Sequence, residues 1–83
     1  MKLIDRILTE ILNKNRLGEI KHIAVNSNGK KELLKNYEEE FKLEFEEQGR
    51  KPNMFDLEDH FGMKIIVDES IKNSEEYKLF AEV

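Results

Sequence analysis

The apolar residues of this chain change their period along its length, and that change limits what it can fold into. Leu3, Ile4, Ile7, Leu8, Ile11 and Leu12 recur at helical spacing, and so do Leu33, Leu34, Tyr37, Phe41 and Phe45. Residues 20–25, 63–68 and 76–83 instead carry short apolar or alternating runs of strand character. A chain that interleaves both periods must stack helices on a sheet. The fold class expected is therefore α+β.

The punctuation between these runs sets the element order. Helix one is expected from about Lys2 to Arg16, with Gly18 as its exit. Its apolar stripe covers nearly half the circumference, wider than one sheet face needs. Leu3, Ile7 and Leu12 are accordingly candidates for a self-association contact. Strand one, Ile20 to Val25, ends at the turn cluster Asn26-Ser27-Asn28-Gly29. Gly29 and Glu32 resemble a capping box that starts helix two near Lys30. That helix should run unbroken to Gln48, where Gly49 and then Pro52 stop it. Asn53 can cap a short helix over Met54–His60, with Gly62 beyond it. The polar loop 69–74 is too short for a parallel crossover, so strands two and three should pair as a C-terminal antiparallel hairpin. The expectation is one domain over residues 1–83, in the order αβα(α)ββ, with helices on one face of a three-stranded sheet.

The longest apolar runs, such as Ile65-Ile66-Val67, fall far short of the ~20 residues a membrane span requires. The opening Met1-Lys2-Leu3-Ile4-Asp5-Arg6 is broken by charge at once, unlike a secretory leader. Cysteine is absent, which fits a reducing, cytoplasmic setting and removes thiolate metal sites. A net charge of −4 opposes general binding to nucleic acid and leaves open a partner protein with a basic surface. A chain of 83 residues has a small core, and self-association often helps such domains.

The charge is concentrated. Residues 36–47 hold six glutamates and one lysine, a local net charge of −5. On a helical projection Glu40, Glu44 and Glu47 form one strip beside Leu43, with no lysine in it. Glu38 can pair with Lys42, and Glu39 with Lys35, at one-turn spacing. An apolar residue among uncompensated carboxylates suits docking to a basic, partly apolar partner. A sharper version is an inhibitor that imitates nucleic acid, its carboxylates standing in for phosphates.

Catalytic, metal and cofactor chemistry lack a signature. A single helix face spreads its carboxylates along the axis, whereas hard cations need oxygens that converge. His60, with Asp56 one turn before it, is short of the three or four ligands that zinc takes. His22 alternates with apolar residues and reads as a packed, hydrogen-bonded histidine. Ser27, Ser70 and Ser74 have no nucleophile motif around them, and the Asn26–Lys31 turn lacks phosphate-loop spacing. The alternative function is a nucleic-acid-binding regulator using the basic spots Lys30-Lys31 and Arg50-Lys51.

The segment Phe61-Gly62-Met63-Lys64-Ile65-Ile66-Val67-Asp68-Glu69-Ser70-Ile71, followed by Tyr77-Lys78-Leu79-Phe80, resembles a hairpin common in phage-encoded proteins. Small size, heavy use of Lys, Glu, Ile and Asn, and lack of Cys are similar to small phage or prophage proteins of AT-rich bacteria. The resemblance implies a structural or host-directed interaction role and transfers no catalytic residue.

Overall fold

A computed structural model describes residues 1–14 and 18–81. Along the chain lie α1 (Leu3–Lys14), β1 (His22–Val25), α2 (Ser27–Glu40), α3 (Lys42–Gln48), α4 (Met54–Phe61), β2 (Lys64–Val67) and β3 (Lys78–Phe80). The α+β class and the order of helices and strands are those the periodicity implies. The expected extension of helix one to Arg16 and of the last strand to Val83 falls outside the described residues.

The hairpin is corrected. The strand order is β2-β1-β3, with β1 parallel to β2 and antiparallel to β3. β2 and β3 do run in opposite directions, but β1 lies between them. The cause is the connection after β2, which crosses the end of β1 and packs onto the start of α2. Asp68 N–H donates to the Val25 carbonyl at 2.8 Å. The Glu69 carboxylate accepts from the Ser27 N–H and from its hydroxyl, both at 2.7 Å. The Asn26 amide donates to the Ile71 carbonyl at 2.9 Å, and Ile71 itself is buried. A segment that reads as a polar loop is thus anchored from below, and it carries the chain past β1 rather than back along β2.

Two helix boundaries also differ from expectation. α2 begins at Ser27, not Lys30, because the Asn26 side chain caps it by accepting from the Gly29 N–H at 2.7 Å. The turn cluster is the helix's own first turn. Gly29 belongs there for space as well, since a Cβ would lie 3.1 Å from the Ser74 carbonyl oxygen and 3.2 Å from Val25 Cβ. The long acidic helix is bent at Phe41, whose backbone (φ −114°, ψ 33°) leaves the helical region. Phe41 N–H still bonds to Tyr37 and Phe45 N–H to Phe41, so α2 and α3 meet at an elbow instead of forming a single rod. Phe45 is buried and Phe41 half-buried, and both rings stand against Tyr37 on either side of the bend. α4 starts as expected, with a capping box between Asn53 and Asp56.

The core lies between the helices and one face of the sheet. Leu3, Ile4, Ile7 and Ile11 of α1, Leu33 of α2, and Leu57 and Phe61 of α4 pack with Ile23, Val25 and Ile65. Each fully buried Leu or Ile side chain contributes roughly 1.5–3 kcal/mol through burial. Asn36 of α2 is also buried, and its side-chain oxygen accepts from the Ile4 N–H at 3.2 Å, so α2 caps the start of α1 from 32 residues away. Ile23, Ile65 and Leu79 share a register row toward the helices. The neighbouring rows, His22 with Lys64 and Phe80, and Ala24 with Ile66 and Lys78, point to the opposite face. On that face Ile66 and Phe80 are half-buried and both lysines are exposed. Along the outer edge of β2, the Glu58 carboxylate of α4 accepts from the Ile65 N–H at 2.9 Å.

Candidate partner surface on α2 and α3

The elbow helix presents its acidic residues outward. Glu40 closes α2, while Leu43, Glu44 and Glu47 lie on α3, and all four are exposed. Leu43 is 74% exposed, an unusual position for a leucine on a helix whose Phe45 is buried. Its orientation follows from spacing: two residues from Phe45 is about 200° around a helix. Among the described residues none of Glu40, Glu44 and Glu47 has an ion-pair partner.

Other glutamates of this stretch are compensated, though not by the expected lysines. Glu38 pairs with Lys51 at 3.2 Å and Glu39 with Lys2 at 3.0 Å, while Lys42 turns to Glu46 at 4.0 Å. The bond from Lys2 holds the Glu39 carboxyl below its ordinary range, and Lys35 acts on it only at longer distance. Three acids facing solvent are left uncompensated, and the compensating cations come from other parts of the chain.

The ridge is fixed from behind. The Tyr37 ring stands 4.7 Å from Phe41, 5.7 Å from Phe45 and 5.4 Å from His60, centroid to centroid. Burial pushes the Tyr37 hydroxyl up, with Asp56 and Asp59 adding to the effect. Arg50 lies over the Phe45 ring, 4.8 Å from its centroid, and grips both oxygens of Asp56 at 3.0 and 3.1 Å. That hydrogen-bonded arginine, and then the Asn53 N–H, keeps the Asp56 carboxyl below the usual carboxylate range. α3 and α4 are thereby joined through one guanidinium. Between Glu38 and Glu46 on one side and Gly49 and Lys51 on the other lies a groove of about 540 Å³, reaching down to Phe45.

The remaining candidates are distributed as follows. Leu3 and Ile7 are in the core and cannot form the outer contact proposed for helix one, because their side of the stripe meets the sheet and α2. Leu12 alone of the three is exposed, at 73%. Arg50 and Lys51 of the second basic spot pair with Asp56 and Glu38 while remaining exposed. His60 packs edge-on against Tyr37, Phe41 and Phe61, and Asp56 bonds to Arg50 in place of His60. His22 stacks on Phe80, and its buried Nδ1 lacks the hydrogen bond expected of it. Among the described residues no group of three or more His, Cys, Asp or Glu converges as a metal site. Among the described residues no helix is long and apolar enough to cross a membrane. Sequence reasoning missed the Arg50–Asp56 clamp, for which the only signal is a pair of opposite charges six residues apart across a proline turn.

Comparison with protein-family models, with curated proteins and with solved structures gave no match.

Proposed function

We propose that this chain is a non-catalytic protein-interaction module that docks a basic, partly apolar partner on the ridge formed by Glu40, Leu43, Glu44 and Glu47. The observation that carries this reading is Leu43, exposed at 74% among three carboxylates that, among the described residues, have no ion-pair partner. Leu43 supplies apolar area at the centre of such a contact, and the carboxylates supply a rim that speeds encounter and selects cationic partners. The aromatic backing and the Arg50–Asp56 clamp favour it too, because a ridge already held in shape loses little entropy on binding. An accessory protein of phage or prophage origin, directed at a host protein, belongs to the same reading. The nucleic-acid alternative through Lys30-Lys31 and Arg50-Lys51 is weakened by the ion pairs that engage Arg50 and Lys51.

The test is affinity capture from bacterial lysate with wild type, Leu43→Ser, and the double variant Glu40→Lys with Glu44→Lys, followed by direct titration of the captured protein. These surface changes should leave stability within about 0.5 kcal/mol of wild type. The double variant should lose binding most at low salt, and Leu43→Ser should lose it at all salt concentrations. Equal capture by all three folded proteins would remove the ridge from consideration.

A further inference from the structure

We infer that the half-buried rings of Tyr37, Phe41 and His60, rimmed by Glu44 and Asp59, form a seat for an arginine side chain of the partner protein. The seat borders the ridge and shares Glu44 with it, so it rests on the docking role proposed for that ridge and names the cation the ridge's partner would insert. The three rings come from α2, the elbow and α4. Their centroids lie 4.7 Å apart for Tyr37 and Phe41, 5.4 Å for Tyr37 and His60, and 6.3 Å for Phe41 and His60. All three stay partly open to solvent, whereas Phe45 and Phe61, which pack against Tyr37 and His60, are buried.

Two arginines of the chain show what such a place holds. Arg50 lies 4.8 Å from the Phe45 centroid and pairs with Asp56 at 3.0 Å. Arg6 lies 5.9 Å from the Tyr77 centroid and pairs with Glu75 at 3.2 Å. In both places a ring face and a carboxylate together hold one guanidinium. The Tyr37 cluster offers the same two ingredients. Among the described residues no lysine or arginine lies over its rings, and neither Glu44 nor Asp59 has an ion-pair partner. Both carboxylates are exposed. Burial first, then Asp56, Asp59 and Glu44, push the Tyr37 hydroxyl up, and only Arg50 opposes them, so both rim carboxylates act on this ring.

The chemistry selects the occupant. Ring faces and carboxylates both attract a cation and repel an anion. A guanidinium fits better than an ammonium, because it stacks flat on a ring while its edge donates to carboxylates beside it. A metal ion fits worse, since among the described residues no three acidic or histidine groups converge. Arg6 and Arg50 are engaged within their own chain, so among the described residues a second copy has no arginine to offer, and the donor is a different protein.

The experiment is an NMR titration of the isotope-labelled protein with the blocked tripeptide acetyl-Gly-Arg-Gly-amide at low salt, where weak ionic contacts are least screened. Resonances of Tyr37, Phe41 and His60 should move together, and the same peptide with lysine in place of arginine should bind at least about twofold more weakly. Tyr37→Leu, which keeps an apolar side chain toward the core, should weaken binding about two- to fivefold. Glu44→Gln with Asp59→Asn, both at exposed sites, should weaken it about fivefold. Glu19→Gln with Glu76→Gln removes the same charge from exposed sites elsewhere and should change it by less than about 1.5-fold. Stationary rings, indifference to the Glu44 and Asp59 changes, an equal loss in the Glu19 and Glu76 control, or equal affinity for the lysine peptide would each overturn the seat. Those results would leave the ridge standing, whereas unchanged lysate capture by Leu43→Ser would remove the ridge without altering the peptide titration.

Discussion

Asn26 joins three parts of the molecule, and its replacement offers the sharpest test of how the fold is held. Its side-chain oxygen caps α2 at Gly29, and its amide holds the Ile71 carbonyl. Both bonds are buried. Asn26→Ala removes the cap, worth about 1 kcal/mol. It also leaves a buried carbonyl without that donor, at about 1–3 kcal/mol. The expected loss is therefore about 2–4 kcal/mol, a large fraction of the roughly 4–12 kcal/mol available to a chain of this size. Asn26→Ser separates the two contributions, because serine keeps the cap but cannot reach Ile71. It should cost about 1 kcal/mol less than alanine. Urea denaturation followed by circular dichroism gives both numbers, provided the m-value does not change. If alanine costs less than about 0.5 kcal/mol, the junction does not hold the β2–β3 connection in place. If serine and alanine cost the same, the cap contributes nothing.

Three further outcomes follow from the described contacts. Arg50 holds the Asp56 carboxyl below its usual range, so the stability this pair supplies is complete above the ordinary carboxylate pKa and is lost as pH falls through the depressed value. Wild type should therefore lose more stability than Asp56→Asn between about pH 6 and pH 2 in matched urea titrations, and parallel losses would count against the clamp. Ile7→Ala should cost about 2–5 kcal/mol because the side chain is fully buried. Leu12→Ala, by contrast, should stay within about 0.5 kcal/mol at low protein concentration, and a larger, concentration-dependent loss would mean that Leu12 is covered by a second chain.

The local elements were largely legible in the residues. Helical spacing located α1 and the acidic helix, Asn53 announced α4, and β-rich runs marked the first two strands within a residue or two of their observed ends, while the third is shorter than the expected 76–83. The pairing of the strands was not legible. It depends on Glu69 and Ile71, which look like ordinary loop residues until Ser27 and Asn26 are brought beside them. The elbow at Phe41 was hidden as well: each turn of the pattern is helical, and the break shows only in the backbone of Phe41 (φ −114°, ψ 33°). Exposure of Glu40, Leu43, Glu44 and Glu47 could be read from spacing. Which glutamates stayed uncompensated could not, because Lys2 and Lys51 reach Glu39 and Glu38 through the tertiary fold. The aromatic pair on the sheet was equally invisible, since His22 and Phe80 lie far apart in the sequence and meet only through the β1–β3 register.

The bond from Ile65 to Glu58 has a consequence for crowded conditions. A short parallel strand at the rim of a sheet invites a stranger to zip onto it, and a lysine-poor stretch such as Ile65-Ile66-Val67 would be an attractive template. A carboxylate seated on the rim amide denies an incoming backbone its first foothold and sets a negative charge in its way. Neutralising Glu58 would unlock that border, and clumping of otherwise native molecules would be the symptom.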